Sequence, residues 1–470
     1  MKNILLISVA AILISFPALA QQSDSALRRV TSADVGSRDS TGKLQTISAA
    51  EHLSRAEVYS SNRLFPQARE HWQIVFDNYP ADSGIPKALF GTARSYMWER
   101  EHEKAVQWFN KLTKDYLNTK DGREGLAFKG ASLVRLGKNI EAVKAYEQYT
   151  VMFPAGERIE SAHLNIIDAY REAGKYTEAN QWVNTTVQKF RGRAPEINAL
   201  HARVRMEIFR GNWNGAIEAA DYLLARKSFA GAMAGSDEVK YLKAFALEKS
   251  KRRDEALRVF ESIPERSYFG NLAANRLSGS EPPASAGGAR RDNVLPAYAA
   301  GSDKPPRLYT EYPVMYRTEL VSEAKKRKID PRFLLAIMKQ ESSFKSGAKS
   351  PAGARGLLQL VYDTAIKYNK KAGYPNLRPD DLYKPSVSIA IGSVYVAELK
   401  DEFDGLYEAI AASYNGGEDN AARWLNRSKP KEAGIFVSEV GFAETKNYVL
   451  KVMNNYRVYR ELYTEELIRR

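Results

Sequence analysis

Apolar and small residues between positions 51 and 275 recur at a fixed interval of 37 residues. Five alanines hold this interval, and each is followed four residues later by an apolar residue: Ala68 with Trp72, Ala105 with Phe109, Ala142 with Tyr146, Ala179 with Val183, and Ala216 with Ala220. Ala256 and Phe260 add a sixth pair after a step of 40 residues. Residues four apart lie on one face of an α-helix, so the pattern predicts a row of helices that each bury one face.

Two further sets of residues keep the same interval. They are the glycines Gly137, Gly174 and Gly211 and the aromatic residues Tyr79, Tyr116, Phe153 and Phe190. A glycine at a fixed place in each repeat is typical of a turn between two helices. The unit resembles a tetratricopeptide repeat lengthened by about three residues over its usual ~34. We therefore expect residues 51–277 to form a helical-repeat solenoid whose aromatic residues are core rather than a ligand platform.

In the last third of the chain, one acid takes a hydrophobic position. Asp330 and Pro331 predict a helix start, because a capping residue and a proline at the first helical position are both typical there. An apolar stripe then runs along this helix and includes Leu334, Ile337 and Met338. The next position of the stripe is Glu341, and burial would raise the pKa of its carboxyl from about 4.3, as a general acid requires. The alternative is a glutamate that pairs with an arginine or caps the helix end.

Three later segments carry residues that suit a binding site. Residues 350–360 read Ser-Pro-Ala-Gly-Ala-Arg-Gly-Leu-Leu-Gln-Leu, where small residues let the backbone approach a ligand closely. Residues 411–417 read Ala-Ala-Ser-Tyr-Asn-Gly-Gly, which predicts a helix that ends with Tyr414 and Asn415 at its mouth. Residues 442–449 read Phe-Ala-Glu-Thr-Lys-Asn-Tyr-Val and supply another acid and another tyrosine.

Together with the Glu341-Ser342 pair, these segments resemble the catalytic domain of the soluble lytic murein transglycosylases, a branch of the lysozyme-like superfamily. The resemblance implies an all-α protein, in which the repeats are followed by a mostly α lysozyme-like domain at residues 307–470. It implies an enzyme that cleaves the β-1,4 bond between N-acetylmuramic acid and N-acetylglucosamine in peptidoglycan and leaves a 1,6-anhydro product. Glu341 would serve first as the acid and then as the base.

The same resemblance implies roles for other residues. Those expected to contact substrate are Ser350, Gln359, Tyr414, Asn415 and Tyr448. Glu444 and Gly356 are expected to support the structure of the site. Tyr448 also fits a core position with a satisfied hydroxyl.

Composition narrows the chemistry of the C-terminal domain. All five histidines lie before it and the chain has no cysteine, which excludes a Ser-His triad, a cysteine nucleophile and a histidine-based zinc site there. No metal and no cofactor are expected. Two alternatives stay open. One is a hydrolytic muramidase that uses Asp363 or Asp404 as a second acid. Asp363, however, also fits a helix N-cap. The other alternative is a non-catalytic scaffold that binds the cell wall.

The N-terminus predicts export. Residues 1–20 combine a basic start, an apolar run and a small-residue cleavage site, as in a secretory signal peptide, and no other stretch is long enough to cross a membrane. A soluble periplasmic protein is therefore expected, with residues 21–50 disordered and residues 278–306 a linker. The formal charge of +14 favours an anionic partner. Because export is expected, peptidoglycan is favoured over nucleic acid as that partner. The repeats are also candidates for binding a protein partner.

Overall fold

The structure, a computed structural model, describes residues 16–278 and 307–470, with side chains from residue 24 onward. The predicted signal peptide lies outside the described residues as far as residue 15, and the predicted linker lies outside them from residue 279. Among the helices of the described ranges, none combines the length and the apolar composition needed to cross a membrane.

The described residues form α-helices and a 3-10 helix at Pro379–Tyr383, with isolated β-bridges and no β-strand. The helices before residue 279 are α1 Phe16–Gly36, α2 Ala49–Ser61, α3 Phe65–Asn78, α4 Ile85–Trp98, α5 His102–Asp115, α6 Lys120–Arg135, α7 Asn139–Met152, α8 Ile159–Glu172, α9 Tyr176–Lys189, α10 Ala194–Arg210, α11 Trp213–Leu224, α12 Ser236–Lys249, α13 Arg253–Glu261 and α14 Tyr268–Leu277. Those after residue 306 are α15 Arg307–Glu311, α16 Arg317–Arg327, α17 Pro331–Ser342, α18 Tyr362–Tyr368, α19 Pro385–Glu402, α20 Tyr407–Gly416, α21 Glu418–Arg427, α22 Ala433–Glu439 and α23 Ala443–Leu462. The predicted all-α class is confirmed.

The helices reproduce the interval read from the sequence. Helices α3, α5, α7, α9 and α11 begin 37 residues apart, and α13 follows after 40. Every alanine of the repeated pairs is buried, and so is its apolar partner four residues later. Each unit is thus held by one buried face per helix, as the pattern predicts.

The repeated glycines and aromatic residues mark the helix ends. Gly137, Gly174 and Gly211 all adopt a positive φ of 71° or 72°, a left-handed conformation that glycine reaches without steric cost. The aromatic series Tyr79, Tyr116, Phe153 and Phe190 occupies the C-caps of α3, α5, α7 and α9. The turns therefore have the same construction in successive repeats.

The chain divides into two compact units that do not follow the predicted domain boundary at residues 278–306. The first unit combines the described residues up to 132 with residues 341–394, and the second combines the described residues between 133 and 340 with residues 395–470. Buried ion pairs explain why each unit draws on both regions. In the second unit, Glu439 of α22 lies 2.8 Å from Arg171 of α8 and 2.7 Å from Arg205 of α10.

The disorder predicted for residues 21–50 is wrong, because α1 runs to Gly36 and α2 begins at Ala49. Helix α1 is fixed in the first unit by a buried acid, Asp34, which is 3% exposed. The Asp34 carboxylate accepts hydrogen bonds from Arg55 (2.6 Å) and Tyr59 (2.6 Å) and lies 3.0 Å from His71. The polar composition predicted a solvated segment, whereas the structure uses Asp34 as a buried anchor.

Candidate active site

Helix α17 carries Glu341 at its C-terminal end. As predicted, Asp330 caps the helix start, where its carboxylate accepts the backbone N–H of Arg332 at 2.9 Å. The six residues Phe333–Met338 are all fully buried, so the helix is buried on every side and not only along the predicted stripe. Burial ends after Met338, and Glu341 is half-buried. The acid therefore lies at the rim of an apolar wall rather than inside it.

The residue after the glutamate ties the end of α17 to the segment 348–360, which we call the glycine loop. Ser342 is buried, and its Oγ donates a hydrogen bond to the Leu357 carbonyl at 2.8 Å. Ser343 and Phe344 then take positive φ angles of 48° and 66°, which turn the chain out of the helix. Glu341 is thus held next to a fixed point of the glycine loop.

The glycine loop is closed by its own backbone. Gly356 donates its N–H to Ala348 at 2.9 Å, and Arg355 exchanges two hydrogen bonds with Leu360, at 3.0 and 3.1 Å. A Cβ on Gly356 would lie 2.0 Å from the carbonyl oxygen of Leu382, and φ at Gly356 is +75°. We expected small residues here to admit a ligand, but at Gly356 the close neighbour is the protein's own backbone. The supporting role of Gly356 stays a prediction, and the contact through which it would act is the Leu382 backbone.

Two predicted substrate-binding residues lie on this loop and also make contacts within it. The Oγ of Ser350 accepts the N–H of Ala354 at 3.1 Å. The side-chain amide of Gln359 donates to the carbonyls of Ala348 (3.0 Å) and Gly356 (2.9 Å). Both N–H groups of that amide already donate within the loop. A hydrogen bond from Gln359 to a sugar would therefore use the side-chain amide oxygen of Gln359 as the acceptor.

The loop also contains two buried cations that the sequence analysis missed. Lys349 is 7% exposed and Arg355 is fully buried. Both contact Asp24 of α1, at 2.6 Å and 3.2 Å, and both donate to the amide oxygen of Asn62, at 2.9 Å and 2.6 Å. Burial alone would raise the pKa of the Asp24 carboxyl, but hydrogen bonds from Lys349 and Tyr383 lower it below its usual range. The sequence feature that could have indicated these buried cations is the presence of a lysine and an arginine within a run of small residues.

Other predicted site residues belong to the second unit. Helix α20 ends at Gly416, and Gly417 caps it with φ +87°, so the helix end predicted at Asn-Gly-Gly is confirmed. Tyr414 is half-buried, and its ring lies 5.3 Å from that of Tyr395, centroid to centroid. Asn415 is exposed, and its Oδ1 accepts a hydrogen bond from Thr445 at 2.7 Å. The structure therefore orients the Asn415 amide.

Helix α23 carries the last two predicted residues. Glu444 is exposed in the first turn, and the contact with Asn415 comes from the next residue, Thr445, which the sequence analysis did not single out. The bracing role of Glu444 stays a prediction. Tyr448 is only 6% exposed, which fits the core position that the sequence left open. A substrate contact from Tyr448 also stays a prediction.

The two alternative acids have different surroundings. Asp363 lies in the first turn of α18 and forms an ion pair with Arg63 at 3.2 Å, while the N-cap of that helix is Val361. The N-cap predicted at Asp363 is therefore wrong by two residues. Asp404 is exposed, in the turn between α19 and α20. In the described part of the chain, no group of three or more histidine, aspartate or glutamate side chains is placed to hold a metal ion.

Comparison with known proteins assigns two segments of the chain to families. Residues 320–437 match the family model described as "Transglycosylase SLT domain", and residues 129–194 match a "Tetratricopeptide repeat" model. The first match spans Glu341, Ser350, Gln359, Tyr414 and Asn415, whereas Glu444 and Tyr448 fall beyond it. The repeat match spans helices α7 to α9.

Curated relatives resemble the C-terminal region. The soluble lytic murein transglycosylases of Salmonella typhimurium and Escherichia coli are 31% and 30% identical over 155 residues, which is 33% of this chain. The chain covers 24% of the length of each of these relatives. Among solved structures, the 70-kDa soluble lytic transglycosylase of Escherichia coli shares the fold with a TM-score of 0.50, at 18% identity over 97% of this chain and 89% of that one. Residues 320–437 are therefore similar to the transglycosylase SLT domain family, and in this chain they follow a segment that matches a tetratricopeptide repeat.

Proposed function

We propose that this protein is a peptidoglycan lytic transglycosylase that cleaves the β-1,4 bond between N-acetylmuramic acid and N-acetylglucosamine. The observation that carries the proposal is the half-buried Glu341 at the end of α17, inside the segment that matches the transglycosylase model. The next residue, Ser342, is bonded to the glycine loop that bears Ser350 and Gln359. An acid and candidate sugar-binding groups thus lie on one hydrogen-bonded segment.

Glu341 would donate its proton to the glycosidic oxygen as the bond to the anomeric carbon of the muramic acid breaks. Positive charge that develops on that sugar would be stabilised by the carbonyl oxygen of its own acetamido group. The Glu341 carboxylate would then take the proton of the 6-hydroxyl of the same sugar, whose oxygen attacks the anomeric carbon. The products are a free 4-hydroxyl on N-acetylglucosamine and a 1,6-anhydro ring, and no water is consumed.

A position at the rim of an apolar wall suits both halves of this cycle. Partial desolvation favours the neutral acid that the first half needs, and partial exposure tolerates the carboxylate that the second half needs. Ser350 would bind the acetamido region and the Gln359 oxygen would accept a sugar hydroxyl. Because Thr445 holds Oδ1 of Asn415, the Asn415 amide nitrogen would be the atom that donates to a sugar.

The predicted signal peptide and the formal charge of +14 support a place in the cell envelope, where peptidoglycan supplies anionic stem peptides. We propose export to the periplasm on that basis. The tetratricopeptide repeats remain a candidate surface for a protein partner.

A hydrolytic muramidase is the competing proposal, and the contacts of Asp363 argue against it. An inverting or retaining hydrolase needs a second carboxylate poised at the sugar, whereas Asp363 is occupied by Arg63 at 3.2 Å. Mass spectrometry of the muropeptides released by the wild-type protein separates the two. A lytic transglycosylase leaves anhydro ends, which are lighter than hydrolytic ends by one water molecule. Hydrolytic ends as the main product, lost again in Asp363→Asn, would replace our proposal with the hydrolase.

A further inference from the structure

Helix α1 reaches the glycine loop through one buried carboxylate, and no role has so far been assigned to it. We propose that Asp24 is a positioning residue for the active site, which sets the geometry of the glycine loop through Lys349 and Arg355. The proposal rests on the proposed function only in its kinetic part, because the ordering of the loop can be measured without turnover.

The contacts of Asp24 divide between its two oxygens. Oδ1 lies 2.6 Å from the Lys349 ammonium and 3.2 Å from the Arg355 guanidinium, and Oδ2 accepts the hydroxyl of Tyr383 at 2.5 Å. The Asn62 amide oxygen accepts from both cations as well. One residue from α1 and one from the turn after α2 therefore hold two cations that lie 325 and 331 positions further along the chain than Asp24.

Burial makes the carboxylate important to these cations. Asp24 is 7% exposed, Lys349 7%, and Arg355 and Asn62 are fully buried. A buried cation that loses its anionic partner must move toward water, draw water in or lose its proton. Lys349 is the residue of the pair that can lose a proton, and burial already lowers the pKa of its ammonium group.

Both cations are built into the part of the loop that carries the candidate sugar-binding residues. Lys349 directly precedes Ser350 and forms a β-bridge with Arg355, which in turn bridges to Leu360 beside Gln359. Arg355 also donates to the Gly353 carbonyl at 2.8 Å, so its guanidinium fixes the inner turn. A shift of either cation therefore moves the Ser350 and Gln359 side chains.

A misplacement of about 1 Å in a positioning group lowers a rate by on the order of 10²-fold. We therefore expect Asp24→Asn, made in the full-length chain, to lower kcat/KM on purified peptidoglycan by roughly 10- to 100-fold. The same variant should speed hydrogen exchange of the amides of residues 348–360, measured by mass spectrometry with no substrate present.

Asp34→Asn is the matched control, because Asp34 is also a buried acid of α1 but contacts Arg55, Tyr59 and His71 instead of the loop. It should lower Tm while leaving kcat/KM, measured below that Tm, and loop exchange within about twofold of wild type.

The proposal is overturned if Asp24→Asn keeps kcat/KM and loop exchange within twofold of wild type, or if Asp34→Asn lowers kcat/KM and speeds loop exchange as strongly as Asp24→Asn does. Should Asp24→Asn fail to fold, Tyr383→Phe removes only the hydroxyl bonded to Asp24, and it must produce smaller changes of the same kind. If wild-type protein releases no muropeptides, the proposed function fails, and the exchange measurements alone decide on Asp24.

Discussion

Glu439 lies among three arginines in the second unit, and replacing it with glutamine tests how much of the stability of that unit comes from buried ion pairs. Its carboxylate lies 2.8 Å from Arg171, 2.7 Å from Arg205 and 3.2 Å from Arg427, and Glu439 is 1% exposed. Glu439→Gln keeps the shape of the side chain and removes its charge. The three guanidinium groups then lose a shared anionic partner in a buried place.

The size of the effect follows from the pKa. Burial alone would raise the pKa of the Glu439 carboxyl, but Arg171, Arg205 and Arg427 lower it from 4.5 to about 2. At 1.36 kcal/mol per pKa unit, this shift corresponds to about 3 kcal/mol of folding free energy at neutral pH. That figure agrees with the roughly 3–5 kcal/mol lost when one partner of a buried ion pair is removed.

The assay is urea unfolding of the full-length protein at neutral pH. We expect Glu439→Gln to lower the free energy of unfolding by about 3 kcal/mol. The control is Glu255→Gln, which breaks an exposed pair with Arg252 and should leave the free energy of unfolding close to that of wild type, because water screens the pair. A loss below about 1 kcal/mol in Glu439→Gln, close to the control, would refute the reasoning.

The same group predicts a dependence on pH. Because the folded-state pKa of Glu439 is depressed, its contribution is complete above the unfolded-state pKa near 4.5 and is lost as the pH falls toward about 2. Wild-type protein should therefore lose stability through this window more steeply than Glu439→Gln. Parallel curves for the two proteins would contradict the assignment.

Two further substitutions test the site itself. Thr445→Val removes the hydroxyl that donates to Oδ1 of Asn415. It should lower kcat/KM severalfold and lower the free energy of unfolding in urea by about 1 kcal/mol. Unchanged kinetics would mean that catalysis does not depend on the orientation of the Asn415 amide. Gly356→Ala places a Cβ 2.0 Å from the Leu382 carbonyl oxygen at a φ of +75°, so it should destabilise the protein by more than about 2 kcal/mol. Gly373→Ala, with φ +90° and open space around the Cβ, is its control and should cost only about 1 kcal/mol.

The repeats could be predicted from the sequence because their information is local and periodic. An alanine and an apolar residue four positions apart define a helix face, and the glycine that recurs every 37 residues defines a turn. Ala105 and Phe109, for example, are both fully buried, as the pattern required. The period alone fixes neither the choice of C-cap nor the neighbours of each helix, and the structure supplies both.

The fate of residues 21–50 could not be predicted in the same way. Their polar composition is typical of a solvated segment, and nothing near Asp24 in the sequence indicates a partner. Its partners are Lys349 and Arg355, more than 300 residues away, and pairing at that separation leaves no periodic trace. The compact units differ from the predicted domains for the same reason, because ion pairs such as Glu439 with Arg171 join helices far apart in sequence.

The candidate site was located by motif, but its physical construction was only partly foreseen. The stripe that leads to Glu341 is real, yet the apolar wall ends at Met338 and leaves the acid half-buried. The small residues of the loop were expected to let a ligand approach the backbone, whereas at Gly356 the close neighbour is the Leu382 backbone. Local patterns indicate which residues matter, and tertiary contacts determine what each of them does.

Turnover by Glu341→Gln tests the proposed chemistry most directly. Glutamine keeps the size and polarity of the side chain but can neither donate the proton to the glycosidic oxygen nor accept one from the 6-hydroxyl. Muropeptides released from purified peptidoglycan, quantified by mass spectrometry, should fall by about 10³-fold, while the circular dichroism spectrum and co-sedimentation with peptidoglycan stay as in wild type. Release of anhydro-ended muropeptides at a rate within tenfold of wild type would contradict the assignment of Glu341 as the proton donor.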